Sequence, residues 1–267
     1  MNEIYHSSLT YSIWSEWLLL SFLILAGMVY WTISKRIGFQ ILYLTTLSLS
    51  FGFIITMYFP FLYAEDQHLP LTHPHIQASM TLFSFFIPLV RRRIEVLLCL
   101  FPPFVISLSY LFLQESSVFS VVGGILIGGF ISYMFYRSLD WMGSMPEPYL
   151  FAFAIILPVF IGGLIYPNTS FLLLPGLLLG AGIGVTFEQY KIRMSVSHSN
   201  ISKLLSLILG TSGMIMGYLI FIVSPISFPF LFLIVGILGG IWITFFVPTL
   251  LILTKIYEQQ GKSREIF

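Results

Sequence analysis

Thr72-His-Pro-His-Ile-Gln-Ala78 opens the stretch that decides how this chain is read. An apolar run follows it to Val90 and stops at Arg91-Arg-Arg93. A second apolar run ends in Ser107-Leu-Ser-Tyr-Leu-Phe-Leu-Gln-Glu-Ser116, and a third starts at Ser120-Val-Val-Gly-Gly-Ile-Leu-Ile-Gly128. These runs do not alternate apolar and polar residues as a spanning strand must, so they read as three consecutive helices. Gln77, Tyr110, Ser116 and Ser120 then fall at the same end of that trio.

The rest of the chain has the same character. Of its 267 residues, 57% are hydrophobic and 9% are charged, whereas a soluble domain carries about 25% charged residues. Apolar runs of about 20 residues recur, long enough to cross a hydrocarbon core of about 30 Å. The sequence predicts an all-α, polytopic membrane protein with spans near 14–34, 39–62, 76–90, 94–114, 118–136, 149–166, 170–187, 204–223 and 230–253. That is nine helices, the third being the shortest. Residues 1–13 lack a basic stretch and no small-residue cleavage site follows, so the first helix is expected to stay in the mature chain. Cys99 is alone, which excludes an intrachain disulfide. With so few charges there is no field for a polyanion, so no nucleic-acid partner is expected. Glycine-rich nucleotide loops and paired catalytic carboxylates are absent as well, and no cofactor is expected.

The basic residues are distributed unevenly. Lys35 and Arg36 follow the first span, Arg91, Arg92 and Arg93 the third, and Arg137 the fifth. Lys191, Arg193 and Lys203 lie between the seventh and eighth, while Lys255, Lys262 and Arg264 follow the ninth. All fall on one side of a nine-span arrangement. The positive-inside rule then predicts a plasma-membrane protein with its amino terminus outside and its carboxyl terminus in the cytoplasm. The opposite ends carry Glu3, His6, Glu16, Glu65, Asp66, His68, His73, His75 and Glu115, and no permanent cation. Glu95 lies at helical spacing from Arg91 and Arg92, which predicts an ion pair there.

The order of these segments resembles the membrane-bound type-2 phosphatidic acid phosphatases. Their segments read Pro-Ser-Gly-His-Ala, then Ser-Arg, five residues, His, three residues, Asp, followed by small-residue turns. Here Pro74 and Ala78 match, while His75, Ile76 and Gln77 stand for the Ser, Gly and catalytic His. Ser109 matches the Ser, Tyr110 replaces the Arg, and Ser116 and Ser120 replace the His and Asp. The family's first motif, Lys, six residues, Arg-Pro, aligns with Leu62 and Leu69-Pro70. The resemblance implies a lipid-phosphatase-like helical core whose catalytic positions are degenerate.

Asp140-Trp-Met-Gly-Ser-Met-Pro-Glu-Pro148 is a turn region that divides this core, residues 1–138, from a four-helix extension, residues 139–267. In the extension, Gly176-Leu-Leu-Leu-Gly-Ala-Gly-Ile-Gly184 followed by Phe187-Glu-Gln-Tyr-Lys-Ile-Arg-Met194 resembles bacterial family members with extra carboxy-terminal helices. Glycines four apart recur at 124/128, 176/180/184, 213/217 and 236/240. Such spacing lets helix backbones approach closely, chiefly for internal packing, with a dimer face on the extension as the sharper reading.

Three functions follow as expectations. The first is a noncatalytic relative of the lipid phosphatases that binds, presents or translocates a membrane lipid, or partners an envelope-lipid enzyme. Gln77, Tyr110, Ser116 and Ser120 would line its lipid cavity, with Gln77 closing the former site as a hydrogen-bonded link. The second is a rewired hydrolase with Ser116 as nucleophile and His75 as base, Glu115 or Asp66 orienting the base. It would lack the Lys or Arg that clasps a phosphoryl group. The third is a metal-binding protein using Asp66, His68, His73 and His75, residue types that zinc accepts in a spacing that matches no standard zinc motif.

Overall fold

The computed structural model describes residues 20–59, 72–113, 117–143, 147–197, 199–223, 228 and 230–259. Its helices are α1 (Leu20–Thr32), α2 (Lys35–Tyr58), α3 (Pro74–Phe86), α4 (Arg93–Leu113), α5 (Val118–Gly143) and α6 (Glu147–Ile165). They continue with α7 (Leu173–Phe187), α8 (Asn200–Val223), α9 (Leu231–Ile241) and α10 (Val247–Leu253). A π-helical turn, Trp242–Phe246, joins α9 to α10, and another, Glu188–Ile192, extends α7. The only strands among the described residues are β1 (Met194–Ser195) and β2 (Glu258–Gln259), paired antiparallel. This is an all-α polytopic membrane protein. Each expected span holds a helix.

Six of these helices are long and apolar enough to cross a membrane: Lys35–Tyr58, Arg93–Phe112, Val118–Ser138, Thr169–Ile192, Asn200–Ile222 and Leu231–Leu253. The described part of α1 and the whole of α3 are shorter. At 1.5 Å per residue, the 13 residues of α3 reach about 20 Å, less than a full hydrocarbon core. Sheltered among neighbours, α3 buries Ile76, Gln77, Ala78, Thr81, Leu82 and Phe85.

The chain forms two compact units, one built from the described residues of Leu44–Glu147 and the other from Leu20–Tyr43 with those of Pro148–Phe267. Leu20–Tyr43 thus packs with the carboxy-terminal helices.

In the first unit α3 packs against both α4 and α5. Pro74 suits the first turn of α3, where an N–H would find no partner in the helix. The end is fixed by His73, whose backbone N–H donates to the Ser120 carbonyl at 3.2 Å. Gly128 lets α5 come close, since a Cβ there would sit 2.7 Å from the Gln77 carbonyl. At the other end of α3, Glu95 corrects the sequence reading. Its Oε2 accepts the backbone N–H groups of Arg91 and Arg92, at 3.1 and 3.2 Å, rather than a guanidinium. Arg92 precedes the first helical residue, so Glu95 satisfies N–H groups that α4 itself leaves free.

In the second unit α7 and α9 make the closest pairing. Gly176 and Gly180 face the carbonyls of Leu233 and Ile237, and Gly236 and Gly240 face those of Leu173 and Leu177. Glycine spacing there serves internal packing. Pro248 has no N–H to offer the carbonyls four and five residues before it, those of Thr244 and Ile243. Side chains of α1 make up the loss, Trp31 Nε1 donating to the Ile243 carbonyl at 2.9 Å and Tyr30 Oη to that of Thr244 at 3.3 Å. Both donors are fully buried.

Gly180→Ala would place a Cβ 2.8 Å from the carbonyl carbon of Ile237. It is expected to lower stability by about 1–3 kcal/mol through overpacking. Gly217 has open space around its missing Cβ, and Gly217→Ala is expected to leave stability unchanged or raise it by up to about 1 kcal/mol. Thermal unfolding in detergent reads both.

Candidate functional site

The core of the first unit is polar where three helices meet. Gln77 on α3 is 1% exposed. Its Nε2 donates to the Ser48 carbonyl of α2 at 2.6 Å and lies 3.1 Å from Ser48 Oγ. Ser48 Oγ and Thr81 Oγ1 are 2.8 Å apart, and Thr81 Oγ1 donates to the carbonyl of Gln77 at 2.7 Å. Thr81 Oγ1 also lies 3.3 Å from the Gly128 carbonyl of α5. Gly52, one turn along α2 from Ser48, leaves room for Oε1 of Gln77. Gln77 is therefore a link between helices inside the packing.

One turn earlier on α3 is an aromatic cluster. The rings of His73 and Tyr110 are 4.1 Å apart, and His75 lies 5.2 Å from each of them. Ser120, 2% exposed, adjoins it through the bond from its carbonyl to His73. His73 is 5% exposed, and its Nδ1 has no hydrogen-bond partner among the described residues. Burial, reinforced by the neighbouring His75, pushes the His73 pKa down to about 4. Its imidazole is neutral at ordinary pH.

The structure thus brings together His73, His75, Tyr110 and Ser120 at one end of α3, with Gln77 just inside. Ser109 turns back on α4, donating to the Val105 carbonyl at 2.7 Å. Ser116, Asp66, His68, Glu65 and Glu115 lie outside the described residues. Among the described residues no group of three or more His, Cys, Asp and Glu side chains could hold a metal ion. Sequence reasoning missed Ser48, Gly52 and Thr81. Their signal was faint: the four-residue spacing of Ser48 with Gly52 matches that of Gln77 with Thr81.

The second unit holds a separate charged centre. Glu188, 1% exposed, pairs with Lys35 Nζ at 2.8 Å. The same Oε1 accepts the Met194 N–H at 2.7 Å, while the Glu188 carbonyl accepts the Arg193 N–H. Tyr257 Oη reaches the Trp31 carbonyl at 2.7 Å and Ser206 Oγ at 3.1 Å. Residues 172–259, which contain most of this arrangement, match the family model described as PAP2 superfamily phosphatase, transmembrane extension. Over that stretch the chain is similar to the carboxy-terminal transmembrane extension of PAP2 superfamily phosphatases. No curated protein and no solved structure matches it. The PAP2 match falls on the extension, and residues 72–129 lie outside it.

Removing the Gln77 amide would strip a donor from a buried carbonyl. Gln77→Ala is expected to cost about 1–3 kcal/mol of stability, read by unfolding in detergent. His73 gives a pH signature. Its folded-state pKa, about 4, is below the ordinary 6.5. Between those values the unfolded chain binds more protons, so stability is full above pH 6.5 and declines as pH falls towards 4. In His73→Gln the slope of stability against pH across that window is expected to shrink.

Proposed function

We propose that this membrane protein is a noncatalytic relative of the lipid phosphatases that holds a membrane lipid, for presentation, translocation or hand-over to an enzyme of envelope-lipid metabolism. Its place is the plasma membrane, with the amino terminus outside and the carboxyl terminus in the cytoplasm, as the one-sided Lys and Arg imply. The observation that carries the reading is Gln77. Where the resemblance puts the His that protonates the leaving group, there is a neutral amide, 1% exposed and bonded to Ser48. An amide has no proton to give a leaving group at any working pH, and here its N–H is engaged with the Ser48 carbonyl.

The surroundings support the same conclusion. Tyr110 replaces the Arg that would grip phosphate, and residues 60–71 and 114–117 contain no Lys or Arg. A phosphate dianion bound without a cation would lack the charge-assisted bonds such sites depend on. His75, the base of a rewired hydrolase, lies tilted against the rings of His73 and Tyr110, 5.2 Å from each.

The metal reading has one observation in its favour, the unpartnered Nδ1 of His73 beside His75. Two imidazoles fall short of the three or four protein ligands that zinc takes. Metal analysis of the purified protein beside His73→Ala/His75→Ala separates the cases, and the lipid reading expects no metal difference.

Purified protein given phosphatidic acid or isoprenyl phosphates is expected to release no phosphate above background. Release abolished by Ser116→Ala or His75→Ala would overturn the proposal. Co-purified lipid, identified by mass spectrometry, is expected to diminish in Tyr110→Ala.

A further inference from the structure

One end of the carboxy-terminal unit is strongly cationic. Lys35 is tied to Glu188, and the backbone of Arg193 bonds the carbonyl of that same glutamate. Gln259 Nε2 donates to the Lys191 carbonyl, and β1 pairs with β2 beside it. Tyr257, two residues past Lys255, reaches both the end of α1 and Ser206, which is three residues past Lys203. Lys35, Arg36, Lys191, Arg193, Lys203 and Lys255 therefore share one end of the unit. Against these six cations the described residues of the unit set two carboxylates, Glu188 and Glu258, and Lys35 already occupies Glu188.

Two of the cations hold an uncommon backbone. Arg193 has φ 50° and Lys255 φ 57°, the positive-φ residues other than glycine among those described. Each ends a helix where glycine is the usual residue, because an L side chain is strained in the left-handed region. Both are exposed. They stand where the apolar spans Thr169–Ile192 and Leu231–Leu253 stop, the level at which a spanning helix meets lipid headgroups.

We propose that Arg193 and Lys255, with the exposed cations Arg36 and Lys191 at the same end, form a docking surface for anionic phospholipid headgroups. This surface stands independently of the lipid-holding site in the first unit. A strained position keeps a side chain when that side chain is needed, and the need here is positive charge at a membrane surface. Anionic lipid attracts such cations.

The backbone geometry supplies a clean test. Arg193→Gly and Lys255→Gly each remove the charge while giving the left-handed position the residue that fits it best. The full chain goes into nanodiscs of equal phosphatidylcholine and phosphatidylglycerol, and spin-labelled lipids report which headgroup it prefers. The parent is expected to favour phosphatidylglycerol, each glycine variant to lose up to about fivefold of that preference, and the double variant to lose most of it, with thermal stability equal or higher. An unchanged preference in the double variant overturns the proposal. So does a fall in stability with preference retained, which would assign the cations to the helix dipole instead. Inorganic phosphate is expected not to displace the labelled lipid, and displacement at millimolar phosphate would overturn the assignment to a lipid surface in favour of a soluble anion.

Discussion

Lipid tails surround an apolar side chain as comfortably as another helix does, so burying leucine gives membrane helices little reason to associate. What remains is close backbone approach and the satisfaction of polar groups that have no water to turn to. Both operate within each unit of this protein. In the first, Gly128 and Gly52 admit α5 and the polar end of Gln77, and the amide then joins α3 to α2. In the second, glycines on α7 and α9 face each other's carbonyls, while Trp31 and Tyr30 supply N–H and O–H to carbonyls that Pro248 leaves without a donor.

This constraint gives the Gln77 substitution its meaning. A glutamine has two N–H donors and a carbonyl, and it is neutral at every working pH. It suits a place lined by a serine carbonyl and two hydroxyls. Imidazole would bring a single donor when neutral and a buried charge when protonated, a state tolerable only where an acid or a phosphate answers it. Ser120, at the position of the family's Asp, contributes its backbone carbonyl to His73 and carries no charge. Gln77, Ser48, Thr81 and Ser120 thus form a neutral set that is internally consistent.

Much of this architecture was legible in the sequence because apolar length and glycine spacing are local signals. The helices lie where runs of hydrophobic residues put them, and the resemblance of 176–194 to an extension segment agrees with the PAP2 match over residues 172–259. Placing helix ends on a common side put Tyr110 and Ser120 near Gln77, but their meeting with His73 and His75 is visible only in three dimensions. Ser48 and Thr81 were not legible, since a hydroxyl on an apolar helix more often bonds its own preceding turn, as Ser50 does with the Thr46 carbonyl. Nor was the partner of Glu188, because 153 residues separate it from Lys35 and no local pattern links them. Glu95 failed for a related reason. Helical spacing correctly put it near Arg91, but at a helix start the unfilled backbone N–H is the stronger claimant.

The Lys35–Glu188 pair addresses a weakness inherent in glycine-rich packing. Helices that meet through small residues at four-residue spacing can slide by a turn and meet through the next set, with similar dispersion contact. A charge removes that degeneracy. Glu188 is 1% exposed, and its Oε1 serves both Lys35 and the Met194 N–H. Displaced by one turn, it would keep its burial and lose its partner, a change that costs about 3–5 kcal/mol for a buried pair. Buried ion pairs add little net stability over apolar replacements, so specifying a single alignment of the start of α2 against the end of α7 is the role that best accounts for this one. The left-handed turn at Arg193 follows from the same requirement, because the chain must reverse sharply after Ile192 for the Met194 N–H to reach the carboxylate.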